Sequence, residues 1–228
     1  MRETDPNGVA TQGAYSYPVA ATYLGVSAKV VATWSNGYTR KVRYSDDRKS
    51  YAPVLQTEHE RGYVTFLELV ELIYCREFRR HGVSLATIRA AAENLAREVG
   101  PYPFATRELV VHGRALVERL GEDLGLDAAS RQVVFDLGTA IKPNVAYDAT
   151  GRIGRMYVAT GNAVLLDPRV RFGEPVLTSR PVPTRAIASL YRAEEGRIET
   201  VADYFGISER EVEAAVGFES APGLFTAA

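Results

Sequence analysis

The sequence predicts an α+β chain, mainly helical, and three observations predict it. Residues 20–31 and 201–212 repeat one twelve-residue pattern 181 positions apart, with five identities: Ala21/Ala202, Tyr23/Tyr204, Gly25/Gly206, Ser27/Ser208 and Val31/Val212. Thr65-Phe66-Leu67-Glu68 is a capping-box signature that opens a run with helical period through Phe66, Leu69, Val70, Ile73 and Phe78. Between residues 109 and 158 the pattern changes to short β-branched runs separated by turn residues.

Taken in order, residues 1–16 are polar and glycine-containing and read as a disordered lead-in. The first repeat then predicts two short helices over about 17–35, with Pro18 suited to a helix start. Ala21 lets the helices approach, Gly25 takes a turn that needs positive φ, and Ser27 caps the second helix. This is the spacing of a helix-turn-helix. Residues 36–53, with Asn36-Gly37, two aspartates and many Arg and Lys, read as a turn, a short strand pair or a loop. A helix follows from Thr65 to Gly82, and another from Ser84 to Val99, closed by Gly100-Pro101.

Leu109–Val111 and Ala115–Val117 flank His112-Gly113 as strand, turn and strand, and Val133–Phe135 and Val145–Tyr147 are further strands. Asp148-Ala149-Thr150-Gly151 turns into Arg155–Val158. Such ribbons leave open edges, so pairing across a dimer or against a partner is expected. Val170, Phe172, Val176 and Leu177 read as extended, Pro183-Thr184 opens a helix to about Glu195, and the second repeat and a short helix end near Phe218. The C-terminal lobe is thus a three-helix domain of helix-turn-helix type, joined through central β-hairpins to a winged helix-turn-helix at the N-terminus.

Charge separates the two repeats. The whole chain carries a net charge of −1, so any nucleic-acid footprint must be local. In the first repeat Leu24, Val26, Val31 and Trp34 fall inward, while Ser27, Ala28, Lys29, Ala32, Thr33 and Asn36 fall outward, where a recognition helix meets a groove. Lys29 suits phosphate or guanine, and Thr33 and Asn36 suit bases or backbone. Arg40, Lys41, Arg43, Arg48 and Lys49 follow as a phosphate-contacting wing. Residues 18–49 hold six basic against two acidic side chains; residues 194–219 hold eight acidic against two basic. The second repeat, presenting Glu209, Arg210 and Glu213, would be repelled by a duplex and suits packing or a basic protein partner.

Other chemistries find little support. The one cysteine, Cys75, sits in an apolar helical run and reads as a buried, inert thiol; it excludes a disulfide framework. The three histidines share no ligand spacing, and phosphate loops, nucleophile elbows and His-Glu helix motifs are missing, so neither metal, cofactor nor catalysis is expected. With no signal peptide and no apolar run of about 20 residues, the expected setting is cytoplasmic, away from any membrane.

Two stretches resemble known families. Residues 17–99 resemble the MerR-type winged helix, in Tyr23-Leu24-Gly25-Val26-Ser27 and from Val64-Thr65-Phe66-Leu67-Glu68-Leu69 through Arg80-His81-Gly82-Val83-Ser84-Leu85-Ala86-Thr87-Ile88-Arg89. Residues 165–219 resemble a small antitoxin-like helical family often encoded beside PIN-type ribonucleases. The residues concerned are Leu166-Asp167-Pro168-Arg169-Val170-Arg171-Phe172-Gly173-Glu174-Pro175-Val176-Leu177, Val182–Arg185, Val201–Ser208 and Val212–Ala215. One departure concerns a local turn, where Ser179-Arg180-Pro181 stands in place of that family's usual Gly-Thr-Arg. With the ribbon between them, the chain is similar to the long VapB-type antitoxins of actinobacteria.

That resemblance implies an antitoxin that represses its own operon at double-stranded operator DNA and sequesters a cognate PIN-domain ribonuclease toxin. Symmetric operators call for a homodimer. The organisation expected is a lead-in over 1–16, the MerR-like unit with supporting helices over 17–105 and a β-hairpin connector over 106–160. The antitoxin-like helical domain follows over 161–219, and a tail over 220–228. Two rivals are a MerR-like regulator with a C-terminal sensor or interaction domain and no toxin, and a scaffold whose repeats only pack.

Overall fold

The computed structural model describes residues 13–41, 44, 46–57, 62–106, 109–112, 115–119, 124–130, 133–135, 145–149 and 151–220. They fall into two compact units: one contains the described residues of 15–21 and 26–135, the other those of 13–14, 22–25 and 145–220.

The chain opens with β1 (Tyr15–Ser16), α1 (Tyr17–Leu24), whose residues from Thr22 on belong to the second unit, and α2 (Ala28–Asn36) in the first. β2 (Tyr38–Lys41) and β3 (Arg48–Tyr51) form an antiparallel hairpin behind α2, and β4 (Tyr63–Val64) returns to pair with β1. The lead-in expected over 1–16 is therefore corrected at its end. Tyr15 lies opposite Val64 and is 4% exposed, because an aromatic side chain at that position is worth more in the core than in water. Most of the lead-in, and all of the tail past Ser220, lie outside the described residues.

α3 (Phe66–Arg80) and α4 (Leu85–Val99) supply the largest part of this core. Thr65 accepts from the Glu68 amide while Glu68 Oε2 accepts from the Thr65 amide at 2.7 Å, so the capping box is closed in both directions. Ser84 Oγ caps α4 by accepting from the Thr87 amide at 3.0 Å, and Gly100 ends it at φ 90°. Phe66, Leu69, Val70, Ile73 and Phe78 are all buried, as their period requires, and Phe78 meets Phe104 edge-on at 5.3 Å. Cys75 is fully buried, and that burial pushes its thiol pKa up, which keeps the thiol protonated and inert.

Within the chain the ribbons pair with one another. β5 (Leu109–His112), β6 (Ala115–Arg119), β7 (Leu124–Asp127) and β8 (Val133–Phe135) make a four-stranded antiparallel meander in the first unit. β7 carries a glycine in the short run Leu-Gly-Leu-Asp, which hides its strand character in the sequence.

The second unit holds β9 (Val145–Tyr147), β10 (Ile153–Val158), β11 (Val164–Leu166) and β12 (Val176–Leu177), in the order β12-β11-β10-β9. A turn closed by Gly151 N–H to Asp148 O (3.1 Å) joins the first two, as the Asp-Ala-Thr-Gly run predicts. Phe172 is not extended: it is left-handed (φ 58°) and 80% exposed, because a one-turn kink at 171–173 turns the chain from β11 to β12. The turn at Ser179-Arg180-Pro181 is held by Leu177 N–H to Val182 O at 3.0 Å. α5 (Thr184–Ala193), α6 (Ile198–Phe205) and α7 (Glu209–Ser220) then pack around Leu177, Ile187, Val201, Val212 and Ala215.

Candidate nucleic-acid interface

The two sequence repeats build the same backbone. In the first, Gly25 (φ 60°) ends α1, with Gly25 N–H donating to Thr22 O (3.2 Å) and Val26 N–H to Ala21 O (3.1 Å). In the second, Gly206 (φ 62°) ends α6, with its N–H donating to Asp203 O (3.2 Å) and Ile207 N–H to Ala202 O (3.0 Å). Both are Schellman turns, whose left-handed residue has no β-carbon to clash. Ser27 and Ser208 then cap the next helices, each accepting at 3.3 Å from the amide three residues on. The copies differ in one respect. Glu211 reaches back to the Ser208 amide at 2.7 Å and completes a capping box, whereas Val30 at the matching position cannot.

On α2, Leu24 before the turn and Val31 and Trp34 are buried, as expected. Val26, expected inside, is half-buried, because the turn holds it at the rim. Ser35 is buried although no periodicity singled it out, and its hydroxyl lacks a hydrogen-bond partner among the described residues. Ser27, Lys29 and Asn36 are exposed, with Thr33 half-buried. Thr33 Oγ1 donates to Lys29 O (2.8 Å), and Asn36 Nδ2 donates to the Tyr17 hydroxyl (2.8 Å) and to Ala32 O (3.1 Å). Those donors brace the helix, so Lys29 is the group at this surface with its charge turned to solvent.

The strands β2 and β3 bring four of the predicted basic residues together. Arg40 lies directly opposite Lys49, and Lys41 directly opposite Arg48, all exposed. Like charges facing across an antiparallel pair destabilise it. Two of them have partners of their own: Lys41 Nζ meets Asp46 at 2.7 Å, and Lys49 Nζ lies 5.5 Å from the centre of the Tyr51 ring. Arg43 lies outside the described residues.

The base of this wing is secured by groups that sequence reasoning missed. Tyr38 and Tyr51 stack face to face at 4.6 Å, and the Thr39 and Ser50 hydroxyls meet at 3.2 Å. Arg89 on α4 sits over both rings, at 5.7 and 5.8 Å from their centroids. Its Nε and one terminal nitrogen are buried without hydrogen-bond partners among the described residues, so the aromatic faces receive the charge. The signal available in the sequence was Tyr38 and Tyr51 bracketing the basic run. A shallow cleft of about 380 Å³ lies here, lined by Asn36, Gly37, Tyr38, Thr39, Ser50 and Tyr51.

In the second unit Glu209, Arg210 and Glu213 are all exposed on α7, beside Glu211, which is engaged by Ser208 and Ser179. The hydroxyl of Ser179 and the Ser208 cap hold the Glu211 carboxyl below its ordinary pKa. Among the described residues no group of three or more His, Cys, Asp or Glu is placed to hold a metal ion, and no helix is long and apolar enough to cross a membrane.

Residues 14–92 match the family described as "Putative DNA-binding HTH domain", which takes in β1 through most of α4. Over 223 residues the chain is 26% identical to "Putative antitoxin VapB45" of Mycobacterium tuberculosis (strain ATCC 25618 / H37Rv), covering 89% of this chain and 92% of that protein. The crystal structure of Rv2018 from Mycobacterium tuberculosis shares the fold, with a TM-score of 0.61 at 22% identity over 89% of this chain and 96% of that one. The N-terminal part of the chain is thus similar to a helix-turn-helix family described as DNA-binding, and most of its length is similar to that Mycobacterium tuberculosis protein.

Proposed function

We propose that this chain is a DNA-binding antitoxin that represses its own operon and neutralises a PIN-domain ribonuclease toxin, acting as a homodimer in the cytoplasm and carrying no catalytic activity. One observation carries the DNA half of the reading. The wing sets Arg40 against Lys49 and Lys41 against Arg48, an exposed run of like charge that suits a polyanion lying along it. The DNA face consists of Lys29 at the start of α2 and these four side chains, with Ser27, Thr33 and Asn36 shaping the helix surface. Arg43 belongs to the same run. A two-fold homodimer would set two such faces on a symmetric operator.

The toxin half is supported by the likeness to the Mycobacterium tuberculosis antitoxin and by the exposed acidic side of α7, where Glu209, Arg210 and Glu213 would meet a basic partner. Occlusion of the toxin's RNA groove and electrostatic mimicry of RNA both fit that surface.

The test is a duplex titration with the full chain, using DNA from upstream of its own gene. Changing Lys29, Arg40 and Lys41 together to Ala should flatten the salt dependence by about three units of slope, roughly one per lost phosphate contact. Unchanged affinity at low salt would instead favour a scaffold. For the toxin, co-purification with the neighbouring gene product should recover a nuclease held inactive; recovery of none would leave a regulator without a toxin.

A further inference from the structure

The segment with the most specific family likeness, residues 166–177, plays no part in that reading, and its geometry is unusual. Arg171 (φ 48°) and Phe172 (φ 58°, ψ 31°) are adjacent left-handed residues that are not glycine, followed by Gly173 at φ 83°. Left-handed backbone is unfavourable for residues with a β-carbon, and such strain concentrates where a loop must display something. What this loop displays is the Phe172 ring, 80% exposed, so no burial offsets the strain.

The arginines that precede it in the chain, Arg169 and Arg171, are held by carboxylates. The buried Asp167 carboxylate accepts from Arg169 Nε (2.9 Å) and a terminal nitrogen (2.8 Å), and Arg155 Nε approaches it at 3.5 Å. Burial alone would raise the Asp167 pKa, but the bonds from Arg169 outweigh it and keep the carboxyl low and charged. Glu174 holds Arg171 Nε at 3.3 Å and also pairs with Arg185. Two largely sheltered carboxylates therefore fix four guanidiniums that stay 39 to 76% exposed, with Asp148 acting on Arg169 and Glu219 lying near Arg185, so open arginine surface accompanies the exposed aromatic ring of this loop.

We propose that the 169–174 loop is a second nucleic-acid contact, specific for single strands, with Phe172 as a stacking platform and Arg169 and Arg171 on the phosphates. A single strand offers what this surface lacks: a flat base for the ring and a phosphate for each arginine. A duplex keeps its base faces stacked away, and an acidic peptide would pair with the arginines but bring no flat face to the ring. The inference stands independently of the operator reading.

The test uses the full chain and fluorescein-labelled oligouridine and oligothymidine of about 12 nucleotides at low salt, read by anisotropy. Phe172→Gly removes the ring and also relieves the left-handed strain. It should weaken binding about tenfold while the melting temperature stays level or rises. Phe172→Trp should keep the affinity, and Arg171→Ala should flatten the salt slope by about 0.7. In the chain with Lys29, Arg40 and Lys41 changed to Ala, Phe172→Gly should still weaken binding of these strands about tenfold. Binding of either strand supports the proposal, with a preference for uridine marking RNA as the source. No binding by the parent chain, full binding by Phe172→Gly, no further effect of Phe172→Gly in the Lys29, Arg40 and Lys41 variant, or tighter capture of a polyglutamate peptide would each overturn it.

Discussion

Gly37 shows how closely the wing is seated on the helix it follows. Its φ is 69°, and a β-carbon there would lie 2.4 Å from Tyr51 O and 3.0 Å from Pro53 N, both backbone atoms that cannot rotate aside. Gly37→Ala should therefore cost roughly 1–3 kcal/mol and weaken duplex binding as the hairpin is pushed off α2. A melt and a duplex titration check this; no change in either would mean that the wing has slack. Asn36-Gly37 was readable as a turn, but the crowding was not, because it depends on where the returning strand lies. The paired caps make a second residue-scale contrast. Ser27→Ala should cost about 1 kcal/mol, and Ser208→Ala more, since it breaks a box closed by Glu211. Denaturant titrations of the two variants rank them, and an equal or reversed order would contradict the assignment.

At the scale of elements, local signals were read well wherever the neighbours in sequence were also the neighbours in space. The caps at Thr65 and Ser84, the glycine turns and the Asp148–Gly151 hairpin all have that property. The exceptions depend on distant partners: β7 exists because β6 and β8 flank it, and Arg89 matters because α4 passes under Tyr38 and Tyr51. α3 carries another such case, the buried Glu71, whose Oε1 accepts from the Ala105 amide at 2.8 Å. Burial raises its pKa well above the ordinary carboxylate range, against the pull of the Ala105 and Phe104 amides. The folded chain thus keeps a proton that the unfolded chain has lost above about pH 4.3, and stability falls as pH rises past that point. Glu71→Gln keeps an acceptor for Ala105 and should be more stable than the parent at neutral pH. The advantage should fade below about pH 4; pH-dependent melts in which the two chains run parallel would contradict it.

For the whole molecule, one backbone motif occurs in two electrostatic settings. The first copy continues into a cationic wing whose like charges oppose each other across the strands, and the second is wrapped in acids, with Glu209 and Glu213 open to solvent. The charge contrast was legible from composition along the chain, since it needs only residue counts. The pairing that gives it meaning was not, because register is decided by the hairpin as a whole. The most direct test is the salt dependence of duplex binding for two variants of the full chain. With Arg40 and Lys49 changed to Glu, binding should be abolished. With Glu209 and Glu213 changed to Gln, affinity and slope should match the parent. A slope indifferent to the wing but altered by the α7 changes would contradict the account.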